Sequence, residues 1–450
     1  MVKMINPVGF TNFRTNGANA LRVSAAATAP NYGSVIPFER KSVAEKAPPM
    51  PINTTLRTSE EQKMYADLMG AVNASRPGDL SVLPQQYTQA QKLEVLLKNG
   101  KLLSNHSNDG STTLQNLHKT LTTPRLNGLS NVKIINQTID ALFDPTIITQ
   151  KFGDVPREVR DLLLSSPHTP DEVKQNPDSI NVTSSGTCVA ASIQFHLANK
   201  HPAEFARWAQ SLSSPELAVK QTINMSSLSK NFLDAIWLLD AFKMKTTQFN
   251  FERANLELKP DNQVISRVML QNDYQDPGER SVIDVLMQST IMNVGSQKTY
   301  NTLIDERKGD FNANPQGLIE FEKTFAESII KNREKISIVY QNVDDNQFLT
   351  GYKCDLSKIE EHIRKAIAMG EDVIIGYVLT DETGKIVNGH EITVVDVKKG
   401  KDGESIFVCN DTDDDKNGYI EYTASYLLPK IHHAGYPASI VEHETDLIYS

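Results

Sequence analysis

The spacing of apolar residues changes twice along the chain. Over residues 1–58 no apolar period is sustained; the stretch is rich in Asn, Ala, Thr, Ser and Pro and carries the cluster Ala47-Pro48-Pro49-Met50-Pro51, which predicts a disordered tail and linker. A helical period then begins. Ser59 reads as an N-cap, Glu60 and Glu61 fall in the first turn, and Met64, Tyr65, Leu68 and Met69 follow on one face. Thr88–Lys98, Thr112–Leu121 and Asn131–Phe143 continue the pattern between Gly, Asn and Pro breaks. Helices this short need packing partners. Residues 59–164 are therefore expected to form a small α-helical region, either an accessory unit or a covering pro-region.

A second helical zone is predicted over Cys188–Leu197, Pro202–Leu212, Pro215–Ile223, Phe232–Ala241, Val282–Met292, Leu318–Ile330 and Leu356–Ala368. The period then falls to two. Val373–Leu379, Glu391–Val397 and Ser405–Cys409 read as strands, joined by turns at residues 382–385 and 400–403. Helices first and a mostly antiparallel sheet last predict an α+β domain over residues 165–450.

Composition narrows the function. The chain has 450 residues, 39% of them hydrophobic, enough for real cores. With 55 acidic against 46 basic residues, its formal charge of -9 argues against nucleic-acid or anionic-membrane partners. Three cysteines exclude a disulfide scaffold and a four-cysteine zinc site. No apolar run approaches the roughly 20 residues that span a bilayer, and residues 1–37 lack the apolar core of a secretory signal. The expected location is the cytoplasm, or outside the cell by a non-Sec route.

The candidate chemistry lies in three segments. Ser184-Ser185-Gly186-Thr187-Cys188 is a small-residue loop running into Val189-Ala190-Ala191-Ser192, so Cys188 is expected at a helix N-terminus, where the dipole favours a thiolate. Asn388-Gly389-His390 opens a β-branched strand that can aim an imidazole into a cleft. The strand Ile406–Cys409 ends in Asn410 and Asp411, either of which can accept a hydrogen bond from that imidazole. A thiol, an imidazole and an orienting acceptor satisfy the logic of nucleophilic catalysis.

These segments resemble the active-site segments of papain-like cysteine peptidases, with the closest likeness to bacterial bacteriocin-processing and related domains. Cys188 opens a helix, Gly389-His390-Glu391-Ile392-Thr393-Val394-Val395 gives the Gly-His-hydrophobic strand, and residues 363–376 give the helix, glycine and strand that precede such a histidine. The resemblance implies a papain-like fold with a helical first lobe and an antiparallel β second lobe. It also implies cysteine-dependent hydrolysis of peptide bonds through a thioester acyl-enzyme, with a protein or peptide substrate and no cofactor. Asn410 matches the asparagine of papain, and Asp411 matches the Asn-Asp pair of the bacterial relatives. The family's oxyanion glutamine, about six residues before the cysteine, is here Val182, which leaves Asn181 and the Cys188 N–H as donor candidates. Transfer to an amine, deamidation, or a silent binding module on the same fold are the alternatives.

Asp413, Asp415 and Asn417, with Gly418 and Ile420, match the first half of an EF-hand calcium loop, but Ala424 replaces the closing glutamate, and an Asp-rich turn fits better. His432-His433 reads as a solvated pair near a helix end, and Trp208 and Trp237 as core residues.

Overall fold

The computed structural model describes residues 36–37, 53–80, 86–151, 186–228, 232–275, 278–308, 317–414 and 418–448, with a few positions between 161 and 175. In chain order, β1 (Ile36–Pro37) precedes the helices α1 (Ser59–Asn73), α2 (Gln89–Lys98), α3 (Thr113–Thr122) and α4 (Asn131–Phe143). Next come α5 (Cys188–Lys200), α6 (Pro202–Leu212), β2 (Val219–Asn224), α7 (Phe232–Ala241), β3 (Thr246–Phe249), β4 (Arg253–Leu258), α8 (Val264–Tyr274), α9 (Val282–Gly295) and α10 (Glu320–Lys331). The last part holds β5 (Lys335–Val339), β6 (Gln341–Val343), β7 (Leu349–Tyr352), α11 (Leu356–Ala368), β8 (Val373–Thr380), β9 (Ile386–Lys399), β10 (Ser405–Asn410), β11 (Ile420–Thr423) and β12 (Ile431–Pro437). The α+β class is as expected.

Local sequence explains most helix starts. Thr58/Glu61, Thr88/Gln91, Thr112/Gln115 and Ser281/Asp284 each form a reciprocal capping box, which satisfies two otherwise unpaired N–H groups. The cap of α1 is thus Thr58, one residue before the expected Ser59.

Two compact units emerge. The first contains the described residues of Lys41–Ile336 together with Thr412–Asn417. Its core is helical: Leu93, Leu114, Ile139, Phe205, Trp208 and Ile291 are fully buried. The helices of the 59–164 region and those from α5 to α10 share this unit. Leu126 N–H donates to the Ser213 carbonyl at 2.7 Å, and Arg125 to the Gln210 carbonyl at 2.6 Å. The stretch expected as a helix over Pro215–Ile223 is a turn followed by strand β2 from Val219, paired antiparallel with β4, and β3 completes a small sheet. Val219, Gln221 and Ile223 are buried in alternation, so the period there is two. Trp208 is core, whereas Trp237, 57% exposed on α7, is not.

The second unit comprises the described residues of Met1–Arg40, Ser337–Asp411 and Gly418–Ser450. Its sheet runs β1-β11-β10-β9-β8-β12-β5, with β8 to β11 a meander of antiparallel neighbours and β12 returning beside β8. Helix α11 covers β8 and β9 with Ile359, Ile363 and Ala366, all fully buried. It ends before Gly370, whose φ of 82° suits glycine, and β8 follows. Within the predicted tail, Ile36 and Pro37 pair with Glu421 and Ile420; most of residues 1–58 lie outside the described part.

Candidate active site

Cys188 is the first residue of α5 and is half-buried. Its N-cap, Thr187, accepts the first helical bond, from Ala191 N–H at 2.8 Å, but its hydroxyl does not cap the helix. That hydroxyl donates to Gln288 Oε1 at 3.1 Å and accepts from Arg280 Nη2. The first-turn N–H groups of α5 therefore receive nothing from Thr187, which suits an anionic group at the helix start.

A buried polar layer holds this helix start. Gln288 Nε2 donates to Gln194 Oε1 at 2.9 Å and to the Thr149 carbonyl at 2.8 Å, and Gln194 Nε2 donates to Asp284 Oδ1 at 2.7 Å. Both glutamine amides are engaged there and are not free to bind a further group. Burial raises the Asp284 carboxyl to about 6, against opposing bonds from Ser281 and Gln194. Thr412 belongs to the same unit: its carbonyl accepts from Gln150 N–H at 3.0 Å and from the Thr149 hydroxyl at 3.1 Å. None of this layer was visible in the sequence, because Thr187, Gln194, Arg280 and Gln288 come together only through the packing of α5 on α9.

His390 and Asp411 meet in the sheet unit. Register decides which of the two acceptors serves. Asn410 pairs with Thr393, three residues from His390 and on the opposite face of β9; Asp411, one further, returns to the His390 face. His390 Nε2 lies 2.7 Å from Asp411 Oδ1. An ionised carboxylate only accepts, so Nε2 carries the proton and Nδ1 the lone pair. Asn410 is fully buried, and its amide has no hydrogen-bond partner among the described residues. The open choice between Asn410 and Asp411 is thus resolved for hydrogen bonding to His390.

Tyr377, the β8 partner of His390, packs edge-on to the imidazole with ring centroids 5.8 Å apart. Burial and the neighbouring Asp411 push its hydroxyl far above the ordinary tyrosine range, so it stays neutral. Tyr422 and Tyr426 stack nearby in the same unit, with Lys430 Nζ 3.6 Å over the Tyr426 ring. Cys409, on the same strand as Asn410, is wholly buried; desolvation, then Asp411, raises its thiol well above normal. The aromatic lining is a consequence of strand register that residue spacing alone did not reveal.

Cys188 belongs to the helical unit, and His390 and Asp411 to the sheet unit. Asn181 lies outside the described residues, as do Asp415 and Asn417 of the calcium-like loop; Asp413 is described and half-buried. The expectation of a solvated His432-His433 pair is overturned. A short helical turn, Leu428–Lys430, does end just before them, but both lie on β12, where β8 and β5 flank the strand and bury it. Among the described residues no helix is long and apolar enough to cross a membrane.

No protein-family model matches the chain, and no curated protein matches it at a significant level.

Proposed function

We propose that the chain is a cysteine peptidase with a papain-like arrangement, in which Cys188 is the nucleophile, His390 its base and Asp411 the residue that orients the imidazole. The reading rests on the His390–Asp411 hydrogen bond of 2.7 Å, which fixes the tautomer that leaves Nδ1 to take a proton. In the reaction, His390 Nδ1 accepts the thiol proton as Cys188 Sγ attacks a peptide carbonyl. The imidazolium returns that proton to the leaving amine, and water then hydrolyses the thioester. Asp411 stabilises the imidazolium without taking its proton. The Cys188 N–H, at the start of α5, serves as one oxyanion donor.

The test is digestion of a peptide library by the full chain, with products read by mass spectrometry. Cleavage is expected from the wild type and none from Cys188→Ala or His390→Ala. Cleavage that survives in Cys188→Ala would refute the assignment. Products carrying an added amine, or deamidated glutamines without chain cleavage, would reassign the same triad to transfer or deamidation.

A further inference from the structure

Strands β12, β8 and β9 lie side by side, and their registers set His433, Gly376 and Glu391 in one row. The glycine in the middle is a spatial requirement. A Cβ at Gly376 would overlap the His433 imidazole and come within 2.8 Å of Glu391 Oε1. The ring therefore lies over the glycine, with Nε2 2.5 Å from Glu391 Oε1. Neighbouring strand residues ordinarily face opposite sides, but the register shifts between Ile431 and His433. There the His432 ring turns edge-on to that of His433, and the two Nδ1 atoms lie 3.0 Å apart. Exposure is 3% for His432, 2% for His433 and 6% for Glu391.

We propose that His432 and His433 bind a divalent transition-metal ion of the zinc class through their Nδ1 atoms, with Glu391 as the positioning residue. Two Zn–N bonds of about 2.1 Å at a tetrahedral angle hold their nitrogens about 3.4 Å apart, so the rings need to open by only about 0.4 Å. Glu391 accepts a hydrogen bond from the Nε2–H of His433 and so leaves that ring's lone pair on Nδ1, the carboxylate–histidine arrangement of metal-binding histidines. Water or further oxygen donors complete the coordination. Paired imidazoles favour zinc, cobalt, nickel or copper over magnesium and calcium. Without an ion, a Nδ1–H···Nδ1 hydrogen bond satisfies the pair. The His433–Glu391 hydrogen bond links the ion-binding strand β12 to β9 at a residue next to His390 in the chain and on the other face of the strand. The inference does not depend on cysteine chemistry.

Metal-free full chain titrated with zinc chloride by calorimetry is expected to bind the ion, with no response to magnesium. Glu391→Gln is expected to weaken binding about 10- to 100-fold, and the double variant His432→Ala/His433→Ala to abolish it. X-ray absorption of the zinc-loaded wild type gives a second reading that needs no variant: two imidazole ligands and no sulfur. Failure of the wild type to bind zinc, an affinity unchanged in the double variant, or a shell with sulfur or fewer than two imidazoles would each overturn the proposal.

Discussion

His390 Nε2 donates to Asp411 Oδ1 across 2.7 Å, although 21 residues separate them in the chain. The contact is a consequence of register: β9 and β10 pair so that Asp411, and not Asn410, shares a face with the imidazole.

This separates two adjacent substitutions. Asp411→Ala is expected to lower kcat/KM for peptide cleavage on the order of 10²-fold or more, since the imidazole loses its orienting acceptor. Asn410→Val is expected to leave cleavage nearly intact and to raise stability by about 1 kcal/mol, because it replaces a buried, unbonded amide with a β-branched side chain. Kinetics and urea denaturation of both variants provide the check; the reverse pattern would assign the orienting role to Asn410.

The three thiols should react at different rates. Desolvation, then Asp355 and Glu444, raises the Cys354 thiol, and burial raises that of Cys409 further. Cys188 opens a helix whose N-cap side chain is turned away. Iodoacetamide at neutral pH, followed by peptide mapping, is expected to label Cys188 first. Equal labelling of Cys354 would count against an activated nucleophile.

Asp284 sets a pH dependence for the helical unit. Its carboxyl is at about 6 in the folded chain against 3.8 ordinarily, so between those values the folded state holds a proton that the unfolded chain has released. Stability from this group is complete below about 4 and is lost as pH rises through 6. Asp284→Asn removes the titration. Urea midpoints at pH 5 and pH 7.5 should fall more for wild type than for the variant, and identical falls would remove Asp284 as the cause.

Gln288 bridges α9 to Thr187, Gln194 and Thr149. Gln288→Leu leaves these buried polar groups without that partner and is expected to destabilise the chain by roughly 1–3 kcal/mol. Peptide cleavage should fall as well, since Thr187 precedes the proposed nucleophile, Cys188. A variant as stable and active as wild type would show that the layer does not hold the helix start.

Much of the architecture follows from the sequence alone. Helices α1 to α7 and α9 to α11 announce themselves through apolar period and the Gly, Asn and Pro breaks between them. The strands β8, β9 and β10 are marked by β-branched runs between turns. The position of Cys188 at a helix start and of His390 on a strand are local properties, fixed by the small residues and glycine before them. Tertiary structure decided the rest. It made Pro215–Ile223 end in a strand because β4 was there to pair with it. It chose Asp411 over Asn410 through a register that no single segment encodes. It buried His432 and His433 against Glu391, where Gly376 leaves room for a ring. Local sequence sets the period and ends of an element, but the face a side chain takes and the group it meets depend on which strands and helices pack against it.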